Sequence, residues 1–243
     1  MKLVRLASLA AIAAVPALPA MAQEADKWTG EGAFNAGFTT GNTETRDAGV
    51  AMRAHHTGDQ WTQAGEFTAD YGDTDEVATR NRLSASGQID RIFSDQWNGY
   101  TRLAWERDEF SGFENRSFVG VGGAYKAIDA PGTKWTLEGG PGYKVDELSA
   151  SDTAPATKEE SFGGRLASRF SHDFNERVQM SDVTEIVASD TSTQVSNSVA
   201  LTANIMGNLS ARVSLDVRHD TDPPPGFEAT DTATKFSLVY KIE

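Results

Sequence analysis

Residues 209–218 alternate without a break: Leu209, Ala211, Val213, Leu215 and Val217 fall on one side of an extended chain, and Ser210, Arg212, Ser214, Asp216 and Arg218 on the other. Successive side chains of a strand point to opposite faces, so this segment reads as a strand with one apolar and one ionic face. The C-terminal stretch repeats the pattern, with Phe236, Leu238, Tyr240 and Ile242 against Lys235, Ser237, Val239 and Lys241. Reading each such run as a strand predicts twelve: residues 28–38, 45–57, 61–71, 79–91, 96–109, 115–128, 134–145, 159–172, 177–189, 193–205, 209–219 and 232–242. The run 177–189 alternates least well. Val183 and Val187 lie on the register opposite to Ile186 and Ala188, which points to a bulge or register shift.

Short polar turns recur at near-constant intervals beside an apolar anchor. They are Gly58-Asp59-Gln60-Trp61, Ser94-Asp95-Gln96-Trp97, Gly132-Thr133-Lys134-Trp135, His172-Asp173-Phe174-Asn175 and Met206-Gly207-Asn208-Leu209. Trp61, Trp97, Trp135 and Phe174 would form an aromatic girdle at one membrane interface, and Phe38, Tyr71, Phe110, Tyr143 and Phe162 part of the other. The remaining connections are longer on the whole: Gly72–Ala78, Phe110–Glu114, Asp146–Lys158 and Asp220–Asp231. Thr39–Glu44 and Asp190–Ser192 are the short exceptions, and Gly41-Asn42 supplies turn-forming residues in the first of them. With both ends of the chain on the periplasmic side, an even strand count puts short turns there and long loops outside. The fold expected is an all-β, antiparallel up-and-down transmembrane barrel of about twelve strands, a monomer whose surroundings are outer-membrane lipid. A soluble sandwich would show the same alternation, and the leader and girdles decide between them.

The N-terminus reads as a secretory signal over residues 1–22, leaving a barrel domain over 23–243. Lys2 and Arg5 precede an apolar core, Leu6 to Leu18, that is too short to span a bilayer as a helix. Ala20-Met21-Ala22 is a small-x-small cleavage site. No later segment approaches 18 consecutive apolar residues, so the chain offers no helical span. In a bilayer the other solution is a closed sheet, because an open edge leaves backbone groups unpaired in hydrocarbon. The net charge is −13, and −15 without the two basic residues of the leader. Phosphate binding needs a basic patch, so nucleic acid is disfavoured as a partner. There is no Cys, so sheet and core alone must stabilise the fold. Hydrophobic residues make up 39% of the chain, which is lean for a soluble domain but normal where only alternate residues face lipid.

If the apolar register faces lipid, the inward set includes Glu31, Arg53, Glu66, Arg82, Arg102, Glu106, Arg116, Glu138, Arg165, Arg169, Arg212, Asp216 and Arg218. Arg and Glu rings in a polar lumen can sort ions or small anions. The same residues can instead cross-link into an ionic plug. Both readings stand at this point, since a twelve-stranded interior is wider than the eight-stranded one that side chains fill. The acidic segment Asp70-Tyr71-Gly72-Asp73-Thr74-Asp75-Glu76 has alternating carboxylates but lacks the spacing of a calcium loop, and reads as solvated loop charge. A lipid hydrolase would need Ser and His within hydrogen-bond reach. Ser168 and His172 share a register, but residues i and i+4 of a strand stand roughly 13 Å apart. His55 and His56 point to opposite faces, which argues against a paired metal site. His219 lies at the rim of the loop containing Asp222-Pro223-Pro224-Pro225-Gly226-Phe227, where the prolines stop a strand and block stray pairing. No catalytic residue, metal or cofactor is expected.

Trp28-Thr29-Gly30-Glu31-Gly32, followed by Gly37-Phe38-Thr39-Thr40-Gly41-Asn42-Thr43-Glu44-Thr45, resembles the opening of the salt-induced, YdiY-like outer membrane proteins of proteobacteria. Thr232 and Phe236-Ser237-Leu238-Val239-Tyr240-Lys241 are similar to that family's last strand. The resemblance spans the mature chain and implies an outer-membrane barrel of uncharacterised activity, linked by name to salt response. It brings no catalytic residues. It also implies handling by the barrel-assembly machinery, which reads a terminal aromatic in such chains. This one departs from that pattern, ending Tyr240-Lys241-Ile242-Glu243. The function expected is a narrow passive channel that supports osmotic or salt tolerance, with a closed structural or interaction barrel as the alternative.

Overall fold

The computed structural model describes residues 27–39, 45–150 and 155–242. The leader and the Gly41-Asn42 turn lie outside the described residues. Twelve strands follow one another: β1 (Lys27–Thr39), β2 (Thr45–Thr57), β3 (Trp61–Thr74), β4 (Val77–Ile92), β5 (Trp97–Asp108), β6 (Phe113–Ala130), β7 (Thr133–Leu148), β8 (Thr157–Asn175), β9 (Val178–Ser189), β10 (Thr193–Met206), β11 (Leu209–Asp220) and β12 (Thr230–Ile242). Each pairs antiparallel with its neighbours in sequence, and β12 returns to β1, closing the sheet into an up-and-down barrel. Closure pairs strand edges that an open sheet of this size would leave exposed. The closing seam is short, running from Gly30↔Ile242 to Asn35↔Ser237.

Alternation sets the two faces. On β11, Arg212 and Asp216 bond to groups inside the barrel while Val213 and Leu215 stand exposed outside. Trp61, Trp97, Trp135 and Phe174 are exposed beside the turns at one end, and Trp28 joins them, its ring 4.7 Å from His56. Near the other end Tyr143 and Phe162 meet edge to face at 4.9 Å, with Tyr71 and Phe110 exposed as well. The side chain of Phe38 lies outside the described residues.

Three details of the sequence reading change. First, the register of β9 against β10 is continuous from Thr193↔Ala188 to Ala203↔Val178, so no bulge resets the phase. Val183 and Val187 turn inward and Asp182 outward. On its other side β9 does meet a register shift, at Asp173/Asn175 of β8 opposite Val178 and Gln179, and further bulges fall at Gly72/Asp73 and Asn204/Met206. Second, the β3–β4 connection is a two-residue hairpin. Asp75 and Glu76 both have positive φ, 49° and 65°, the backbone that matches the twist of flanking strands. Third, β6 and β8 run to 18 and 19 residues, which absorbs much of what read as loop.

At one corner of the wall the β6 and β7 backbones come unusually close. A Cβ on Gly140 would lie 2.0 Å from the Val121 carbonyl oxygen, and one on Gly122 would lie 2.3 Å from the Gly139 oxygen. Only glycine allows the β6 and β7 backbones to approach so closely. The Tyr100 ring packs over Gly122 and is buried.

Candidate functional site: the charged interior

All of the charged residues assigned inward from the sequence stand on the inner face, and the structure arranges them in three tiers. Nearest the short-turn end, Glu31 on β1 takes Arg53 from β2 and Arg212 from β11, the latter through two bonds of 2.8 Å. Arg53 also donates to Glu66 on β3 at 2.7 and 2.9 Å. This tier is the wettest: the side chains of Arg53 and Glu66 are 45% and 40% exposed.

The middle tier is closed. Arg165 on β8 is 0% exposed and holds Glu138 on β7 at 2.7 Å and Glu185 on β9 at 2.6 Å. Its guanidinium lies 5.4 Å from the Tyr100 ring, a cation–π distance. Arg169 adds a second cation to Glu138 at 3.0 Å, and Gln88 on β4 reaches the same carboxylate. Arg102 approaches Glu185 at 3.3 Å from β5, four strands away. It is the most loosely held arginine of this tier. Buried charges need partners; Arg165 donates from Nε to Glu185 and from Nη1 to Glu138, both at 2.7 Å, while its Nη2 makes only the ion-pair contact with Glu185.

The third tier lies towards the loops and spans the barrel. Arg218 on β11 meets Glu106 on β5 at 2.7 Å, and Arg82 on β4 binds the other oxygen of Glu106. Arg116 on β6 holds Asp220 on β11 at 2.7 Å and Asp146 on β7 at 3.2 Å, above the Phe113 ring. Lys144 closes onto Asp146 at 3.0 Å and onto Ser192 at 2.6 Å. Between these tiers Lys235 on β12 bonds Asp70 on β3 at 2.9 Å, with Asp216 3.8 Å away.

The interior residues that sequence reasoning missed include Asp70, Gln88, Tyr100, Lys144, Asp146, Glu185 and Lys235. Asp70 falls both in the expected strand 61–71 and in the acidic segment that reads as loop charge; β3 runs on to Thr74 and buries it inside the barrel. Asp146 lay just beyond the expected end of its strand. Both Lys144, inside the expected strand, and Asp146 share parity with Glu138, and a longer β7 would include Asp146. Outside the barrel, Ser168 and His172 do not meet. Ser168 accepts from Trp135 Nε1 at 3.0 Å, and His172 Nδ1 pairs with the Thr133 hydroxyl at 2.8 Å. Among the described residues no three metal-ligating side chains gather.

A closed antiparallel barrel of twelve strands, apolar outside, rimmed with aromatics and ionic within, has the architecture of bacterial outer-membrane barrel proteins. The chain belongs to the family described as protein of unknown function DUF481, whose model matches residues 33–242. No curated protein matches the sequence. Among solved structures, an outer membrane channel from Pseudomonas putida F1 is similar over 91% of this chain and 97% of its own, with 10% identity and a TM-score of 0.51. The translocator domain of autotransporter NalP from Neisseria meningitidis covers 91% of this chain and 89% of its own at 10% identity and TM-score 0.48. The NanC porin covers 88% and 98% at 12% identity and TM-score 0.44. At such identities the likeness is one of fold.

Proposed function

We propose that the protein is a narrow passive channel of the outer membrane, passing water and small ions and supporting tolerance of salt or osmotic change. Its outer face would meet outer-membrane lipid, and the barrel-assembly machinery would insert it. The observation that carries the reading is a lumen open to water at both ends and narrowed between them. Arg53 and Glu66 are exposed at the short-turn end and Arg80 and Asp47 at the loop end, while ion pairs between wall residues narrow the stretch between. Side-chain pairs can rearrange around a passing ion. Exposed pairs also weaken as salt rises, since the screening length falls from about 10 Å at 0.1 M to about 3 Å at 1 M. Arg102, loosely held beside Glu185, is the group best placed to meet a passing anion.

The test is single-channel conductance of the refolded mature chain in planar bilayers at two salt concentrations. The reading expects small steps whose size or selectivity changes on Arg102→Gln or Arg212→Gln. A folded but silent barrel supports the second reading, a closed structural barrel, for which the Arg218–Glu106 and Arg116–Asp220 contacts across the interior speak directly. Recovery of the chain in the detergent-soluble outer-membrane fraction tests the location.

A further inference from the structure

The strands that close the barrel pair over only part of their length. The register of β1 against β12 stops at Asn35↔Ser237, and Ala36–Thr39 and Ala233–Phe236, which would continue it, do not pair with each other. On their other sides both stretches are held, by β2 and by β11. Lys241 N donates to Asn208 O, so the odd-numbered residues of β12 turn their backbone groups towards β11 and the even-numbered ones towards β1. Tyr240 and Leu238 thus meet Gly32 and Phe34. The N–H and C=O groups of Phe236 and Thr234, and of Ala36 and Phe38 on the facing edge, have no ladder partner. This break lies within the apolar wall: Phe236 is outward and 66% exposed, and Val213 and Leu215, outward on β11, are paired with Phe236 and Thr234. Bare backbone groups are not tolerated against hydrocarbon, so something polar must reach them.

A second, independent feature spans the same break from inside. Lys235 on β12 bonds both oxygens of Asp70 on β3, at 3.1 and 2.9 Å, and so reaches past β1 and β2. Asn35, Gly49 and Asp70 are directly paired across β1, β2 and β3. A Cβ on Gly49 would strike the Asp70 carboxylate and the Asn35 amide, so the glycine leaves the space in which they meet. The ion pair therefore straps β12 to β3 on the lumen side of the break, where ladder bonds between β12 and β1 are missing.

We infer that this break is a lateral opening between the lumen and the membrane, held by the Lys235–Asp70 strap, and that it takes the polar head of a single-tailed amphiphile. The lining sets the class of head. The open backbone groups are neutral donors and acceptors, and the Thr234 hydroxyl stands beside them. Lys235 is already shared between Asp70 and Asp216, so an anionic head would meet two carboxylates. An uncharged hydrogen-bonding head fits instead. Its tail would lie outside along Phe34, Phe236 and Leu238, which are 53%, 66% and 54% exposed. The inference rests on the membrane placement proposed above and not on conduction along the barrel axis.

The chain has no cysteine, so single cysteines report access without background. Ala233→Cys lies on the inner face beside the break, paired with Asp216, and Ala104→Cys on the inner face of β5, across the barrel. The refolded mature chain in lipid vesicles is treated with N-dodecylmaleimide, a neutral head on one alkyl tail, and separately with a small water-soluble maleimide. The ratio of the first rate to the second should be several times higher at Ala233→Cys than at Ala104→Cys, and should rise further when Lys235→Met removes the strap. Equal ratios at the two positions overturn the opening, and a ratio indifferent to Lys235→Met in a folded chain overturns the strap. The unaltered chain supplies a measurement that does not depend on the strap variant folding: amide hydrogen exchange should be faster at Phe236 and Thr234 than at Tyr240 and Leu238. Uniformly slow exchange at all four means a seam paired to its top and overturns the opening. Failure to enter vesicles at all removes the membrane placement and this opening with it, whereas entry with equal ratios removes the opening alone.

Discussion

Arg218 and Glu106 touch at 2.7 Å although their strands, β11 and β5, stand six places apart by either route around the barrel. Two side chains therefore bridge opposite walls. Glu106 is shared, because Arg82 takes its second oxygen from the neighbouring strand β4. A bridge of this kind divides the loop end of the lumen, so its removal is the most direct probe of passage. Glu106→Gln keeps the shape and removes the charge that holds both arginines. Under the channel reading, conductance in planar bilayers should rise severalfold and shift towards anions. Unchanged silence with normal folding would favour the closed barrel.

Arg165 is the charge with the most to lose. It is fully enclosed and serves Glu138 and Glu185 together. Arg165→Met should leave two carboxylates without their main partner and destabilise the barrel by about 3–5 kcal/mol. Adding Glu138→Gln and Glu185→Gln should recover much of that loss, because the uncompensated charge dominates the cost. Urea unfolding followed by tryptophan fluorescence checks both. Equal loss in the single and triple variants would mean that packing against Tyr100, and not charge, is what Arg165 contributes.

The strand plan was legible because each strand carries its own signal. Leu209 to Arg218 announces its faces by alternation, and the Trp61, Trp97 and Trp135 turns mark where strands reverse. The inner face followed from parity alone, which is why Arg102, Glu138 and Arg212 could be placed there. The pairings were not legible. That Arg218 meets Glu106 depends on the diameter of the barrel, and the close approach of β6 and β7 depends on Gly122 and Gly140 lying side by side on neighbouring strands. Asp75 and Glu76 misled for a related reason. Asp tolerates positive φ but Glu does not favour it, so little local marked the two-residue turn that Gly would have announced.

Gly140→Val tests the corner. The new Cβ would meet the Val121 carbonyl at 2.0 Å and the Gly122 Cα at 2.5 Å, both backbone atoms that cannot swing aside. Overpacking of this sort costs about 1–3 kcal/mol. The same substitution at Gly32, where a Cβ meets nothing within 4 Å, should cost far less. Refolding yields and urea midpoints of the two variants, compared side by side, would show whether the corner is as tight as the backbone implies.

The β3–β4 hairpin offers a gain. Asp75 and Glu76 hold φ of 49° and 65°, a region that costs a residue with a Cβ about 1–2 kcal/mol. Glu76→Gly should relieve part of that, raising stability by about 1 kcal/mol once the extra freedom of glycine in the unfolded chain is set against it. A higher urea midpoint with an unchanged slope is the expected result. A lower one would mean that Glu76 makes contacts that outweigh its backbone strain.

Leu215 tests the outer face at mid-strand. It stands 48% exposed between the inward Ser214 and Asp216, and Ser214 and Asp216 pair with Ala200 and Ser198 of β10. In water an exposed leucine is replaceable, and Leu215→Arg would be close to neutral. Against hydrocarbon the same change costs about 2–4 kcal/mol at the bilayer midplane. The measurement is therefore insertion into lipid vesicles, read by heat-modifiable migration, beside Leu215→Ala as the control for lost packing. A large deficit for arginine over alanine ties the register of β11 to the membrane. Equal behaviour of the two would place Leu215 in water, and with it the whole face it shares with Val213 and Val217.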